Sequence, residues 1–130
     1  MSHVHAALDR PAVHRPLAVL TAALLVGVAL VHLLDGPGSL SDHAYIGALE
    51  LALAAASVPL AVLMITCPVR ALWLSAAALC ASALLVYIAS RTVGLPGSSD
   101  DIGNWFQTIG IANVLTEVAV IALAVRAVLR

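Results

Sequence analysis

Four long apolar stretches, each nearly free of charge, alternate with short polar or glycine- and proline-bearing breaks along the chain. The pattern predicts helices over Leu17–Leu34, Tyr45–Thr66, Ala71–Ser90 and Trp105–Val125. The shortest of these rises ~27 Å, just enough for the ~30 Å hydrocarbon layer of a bilayer. Gly36-Pro37-Gly38 is expected to end the first helix, and Cys67-Pro68 separates the second from the third almost without a loop. Gly94, Pro96 and Gly97 fall between the third and fourth. Pro59 lies inside the second helix, where a membrane span tolerates it with a kink. The expected fold is therefore all-α: an up-down-up-down four-helix transmembrane bundle over residues 17–130, behind a cytoplasmic tail over residues 1–16. No small-residue cleavage pattern follows Leu34, so the first helix is expected to be retained.

Arginine placement orients the bundle. With four spans, Arg10, Arg15, Arg70, Arg126 and Arg130 fall on one side and Arg91 on the other, which places both termini in the cytoplasm. Any other number of spans would scatter the arginines.

Composition agrees with lipid as the main solvent. Hydrophobic residues make up 62% of the chain and charged residues only 10%, against about a quarter in soluble domains. A net charge of −1 argues against nucleic acid. All basic side chains are arginine, and the weight of Ala, Leu, Val and Gly suggests a high-GC bacterial genome. The expected location is the bacterial cytoplasmic membrane, with lipid as one partner and a homo-oligomer or a second membrane protein left open. Cys67 and Cys80 have no CxxC spacing and read as small apolar fillers.

Polar residues concentrate in the outer half. His43, Gly47, Glu50, Ala54 and Ser57 form one stripe on helix 2. Gly103, Phe106, Gly110, Asn113 and Glu117 do so on helix 4, as do Cys80, Leu84, Tyr87 and Arg91 on helix 3, and Thr21, Leu25, Val28 and His32 on helix 1. Stripes carrying Glu or Arg should face inward, since a charge turned to lipid costs at least ~2.5–3.5 kcal/mol. Their convergence predicts a polar pocket opening outward, with His32 and Arg91 near its rim and Glu117 below them.

His32, His43 and Glu50 are ligand types for a transition metal, with Glu117 as a fourth. The absence of a nearby Cys or Met points to zinc or oxidised copper over a softer ion. The alternatives are that Glu50 or Glu117 simply pairs with Arg91, or that Glu117 serves a proton or ion path, with Asn113 one turn above supplying a hydrogen bond. Tyr87 and Trp105 are further pocket candidates, although Tyr45, Tyr87, Trp73 and Trp105 also suit an aromatic belt at the span ends. Asp42, Asp100 and Asp101 are expected to cap helices 2 and 4. His3, His5 and His14 belong to the tail. The segment from Ser90 to Trp105 is long for so small a protein and glycine-rich, suited to a lid at the pocket mouth. No nucleophile–base pair or cofactor motif indicates an enzyme.

Several of these residues carry a resemblance. His32 at the end of helix 1, Tyr45-Ile46-Gly47, Ser90-Arg91-Thr92-x-Gly94-Leu95-Pro96, the Asp101, Gly103 and Trp105 cluster and Glu117 together resemble a group of small, uncharacterised four-span membrane proteins of high-GC Gram-positive bacteria. The resemblance covers most of the chain after residue 30 and implies the four-span fold. It implies no activity. Function is thus left among a metal- or small-ligand-binding pocket, an accessory subunit of a larger complex, and a small proton-coupled transporter.

Overall fold

A computed structural model describes residues 14–130. His3, His5 and Arg10 lie outside the described residues. Four helices follow in order: α1 (His14–Asp42), α2 (Ala44–Thr66), α3 (Arg70–Thr92) and α4 (Thr108–Val128). All four are long and apolar enough to cross a membrane, and they form the all-α bundle of a multi-pass membrane protein.

Two helix ends differ from the sequence expectation. Gly36-Pro37-Gly38 does not end α1, which runs on to Asp42. Proline lacks only its own N–H, and a helix packed against a neighbour can continue past that loss. At this point the neighbour is close: Gly36 is buried against Leu51 of α2, and Gly47 of α2 abuts the Leu40 backbone of α1, where a Cβ would overlap main-chain atoms. The close approach between α1 and α2 thus requires glycine at position 47. In the other direction α4 starts late, at Thr108, which leaves Trp105 and Phe106 in the preceding connection and Phe106 87% exposed. Gly103 and Phe106 therefore do not belong to the α4 stripe.

The core fills the half of the bundle where the arginine-bearing ends of α1, α3 and α4 meet. Ala18, Ala22, Leu25 and Val28 of α1 pack there with Ala61 and Met64, Trp73, Ala76 and Cys80, and Val120, Ala124 and Ala127. Many of these residues are alanine, so backbones can approach closely, and dispersion between them drives association in lipid. Trp73, expected in an interfacial belt, is instead fully buried and fills the space that the alanines leave. Cys80 is also buried, whereas Cys67 is exposed, and the two are free thiols.

Packing is uneven around the ring. α1 lies closely along α2 and against α4, and α3 packs on α4, but α2 and α3 barely touch despite the short link Cys67-Pro68-Val69 that joins them. The bundle is parted along that seam at the end away from the link.

Candidate functional site

At the parted end, α1, α2, α3, α4 and the α3–α4 connection enclose a cavity of about 610 Å³. His32, His43, Glu50, Tyr87, Arg91, Asn113 and Glu117 all line it. Trp105 does not; it stacks edge-on against Tyr87 from outside, with ring centroids 6.2 Å apart.

The floor is built by α1 and α4. His32 Nε2 lies 3.1 Å from Glu117 Oε1, and both residues are buried, at 7% and 1% exposure. His32 is thus far from the rim. With α1 continuing to Asp42, it sits ten residues below the helix end, ~15 Å down, and Glu117 sits nine residues below the start of α4, ~13 Å down. The bond requires a proton held between the imidazole and the carboxyl. Asn113 does not bond Glu117 as expected. Its Oδ1, Glu117 Oε2, Glu50 Oε2 and His32 Nδ1 are buried and have no hydrogen-bond partner among the described residues. Leaving such groups unmatched costs about 1–3 kcal/mol each, so the arrangement is expensive unless something else satisfies them.

Neither glutamate pairs with Arg91. The guanidinium is engaged by the connection instead: Nη1 stands 2.8 Å from Asp101 Oδ2, Nη2 donates to Gln107 Oε1 at 3.0 Å, and the group lies 4.8 Å over the Tyr87 ring. Tyr87 in turn donates through its hydroxyl to the Trp105 carbonyl at 3.0 Å, and Gly103 N donates to Arg91 O at 2.9 Å. Arg91 is thereby the clamp that folds the α3–α4 connection back on its own helix. Asp101 is its ion-pair partner and not a helix cap, and Asp42 ends α1. The cap positions of α2 and α4 are held by His43 and Gln107, without side-chain capping bonds.

The connection crosses the top of the cavity. Leu95 and Ser98 exchange backbone hydrogen bonds of 2.8 Å, closing a tight turn in which Pro96 supplies a fixed φ and Gly97 takes φ +73°. The two tip carbonyls face α2. Tyr45 donates its hydroxyl to Pro96 O at 2.6 Å, and His43 donates Nε2–H to Gly97 O at 2.9 Å. The segment expected to form a lid is a strap tied down at both ends.

Charge around this space is one-sided. Asp35, Asp42, Glu50, Asp100, Asp101 and Glu117 line it, six of the seven Asp and Glu residues of the chain, against a single guanidinium. Asp35, Ser39 and Gln107 had no assigned place in the sequence-derived site. The first two share the His32 stripe once α1 is continued, at spacings of three and then four residues.

The four metal-ligand candidates share the cavity without assembling a metal site. Among the described residues no three His, Cys, Asp or Glu side chains gather about one point. His43 is taken by the strap, and His32 by Glu117. No family model, curated protein or solved structure matches this chain.

Proposed function

We propose that this multi-pass membrane protein is a non-enzymatic binder that holds a small organic cation in its acid-lined cavity, at the extracytoplasmic end of the bundle. One observation carries the reading. Three buried oxygen acceptors (Glu50 Oε2, Asn113 Oδ1 and Glu117 Oε2) belong to residues that line a single cavity, and none has a hydrogen-bond donor among the described residues. An ammonium N–H supplies the donors they lack, and six Asp and Glu side chains against one arginine favour a positive charge with or without an N–H. Volume supports an organic ligand over a bare metal ion: about 610 Å³ falls among small-molecule sites. A metal needs several ligand atoms within ~2.0–2.6 Å of one point. The arginine asymmetry supports the orientation in the bacterial cytoplasmic membrane.

Calorimetric titration of the purified protein with tetramethylammonium, methylamine and Zn(II) tests this. Saturable binding of an organic cation is expected, weakened about tenfold or more in Glu117→Gln and Glu50→Gln, with Zn(II) binding no tighter. Binding of Zn(II) alone would restore the metal reading, and heat changes that ignore both substitutions would remove the site.

A second reading rests on the proton between His32 and Glu117. A cation arriving beside Glu117 competes with that proton, which is the minimal linkage for proton-coupled transport. Proton release on cation binding, read in weakly buffered solution, is expected in the wild type and lost in Glu117→Gln. Equal release by both proteins would rule the coupling out.

A further inference from the structure

We infer, building on the cation-binding reading, that the ligand is a hydrophobic cation and that it reaches the cavity sideways from the bilayer, through the parted seam between α2 and α3. Four observations point the same way. The seam is the place in the ring of helices where sequence neighbours are scarcely in contact, although their other ends are tied by three residues. Residues at this seam both line the cavity and face outward: Leu49 of α2 is 57% exposed, Val86 of α3 is 45% exposed, and Ser82 one turn before Val86 is exposed as well. The end-on route, where exposed Gly38, Asp42 and Asp100 also line the cavity, is narrowed by the Leu95–Ser98 strap, held to α2 through Tyr45 and His43.

Depth is the fourth. Leu49 lies five residues from the start of α2 and Val86 six from the end of α3, ~8–9 Å below the top of the bundle. That is the level where acyl chains meet headgroups, and where molecules with an apolar body and a polar end settle. A ligand sliding in at this level meets exposed Leu49 and Val86 before the fully buried Glu117. The order matches a molecule whose charge leads and whose apolar body follows. A small hydrated ion would have to shed water to pass the same side chains and would gain nothing from them.

The experiment compares two cations of equal charge, tetraphenylphosphonium and tetramethylammonium, binding to the full-length purified protein. Tetraphenylphosphonium is expected to bind at least about tenfold more tightly, because its rings cover the apolar walls. Val86→Trp fills the seam from α3 and is expected to slow both association and dissociation of tetraphenylphosphonium about tenfold. Leu49→Trp does the same from α2. Both positions lie outside the packed core, and elution as a single sharp species checks folding of each variant. Equal affinities for the two cations, or tetraphenylphosphonium association and dissociation rates indifferent to both tryptophans, overturns the inference. Binding of tetramethylammonium alone, sensitive to Glu50→Gln and Glu117→Gln, overturns it while the cation site stands. Binding of neither cation removes both.

Discussion

His32 on α1 and Glu117 on α4 meet at 3.1 Å beneath the cavity, although 85 residues separate them in the chain. Their bond ties the outer edge of the packed core to the polar space above it. Both groups are buried at the floor of the cavity, so each depends on the other. His32→Leu should strand the carboxyl of Glu117 and cost about 1–3 kcal/mol. Replacing both by leucine should recover part of that loss, because no polar group is left unmatched. Thermal unfolding in detergent of the two single variants and the double variant checks this; strictly additive losses would show that the pair is not coupled.

Gly47 sets the distance between α1 and α2. Gly47→Ala would drive a methyl group into the Leu40 backbone, and a cost of about 1–3 kcal/mol is expected from forced separation. At Gly38, in the same region of contact, a methyl group would meet nothing within 4 Å. Gly38→Ala should be neutral or stabilise α1 by up to about 1 kcal/mol. The two midpoints, measured side by side, separate a steric requirement from a general intolerance of alanine.

Arg91 acts through geometry as much as charge. One planar group reaches Asp101, Gln107 and the Tyr87 face together, and a lysine ammonium cannot repeat that fork. Arg91→Lys should keep the fold but speed amide hydrogen exchange of residues 93–107, with α1 and α2 unaffected. Exchange as slow as in the wild type would show that the connection holds itself in place.

The strap is held at its tip by two side chains of one helix end. His43 donates Nε2–H to Gly97 O and Tyr45 its hydroxyl to Pro96 O. Tyr45→Phe, which removes the second bond, should accelerate amide exchange of residues 95–98 by an amount matching about 0.5–1.5 kcal/mol. Unchanged exchange would show that the turn needs no tie to α2.

Cys67 offers a direct test of orientation, since it is exposed at the α2–α3 link while Cys80 is buried. A membrane-impermeant maleimide should label inside-out vesicles and not right-side-out ones, with Cys67→Ser abolishing the signal. The opposite sidedness would place the cavity toward the cytoplasm.

Most of the architecture was legible in the sequence because lipid imposes a blunt rule: a span must be long and apolar, and its charges must turn inward. The stripes of α1 and α2 follow from that rule, and Thr21, Leu25, Val28 and His32 are all buried. Depth was harder to read. Taking Gly36-Pro37-Gly38 as a helix end placed His32 at the rim and Glu117 below it, and so hid their pairing. Whether a proline ends a helix or is carried through depends on what packs beside it, here Leu51 and Gly47, and that is a fact about another helix. Arg91 was misread for a related reason. Its partners lie in an irregular connection where no helical period applies, so Asp101 passed for a cap and the glutamates for the counter-charges.

The seam between α2 and α3 opens only ~8–9 Å below the top of the bundle, and this ties its surroundings to the thickness of the host membrane. A bilayer only a few ångströms thinner would lift Leu49 and Val86 among phosphates and glycerol; a sterol-thickened one would sink them under acyl chains. On the proposed lateral route, the same polypeptide would gather a hydrophobic cation from different strata of the membrane, and lipid composition would set occupancy without altering a single residue.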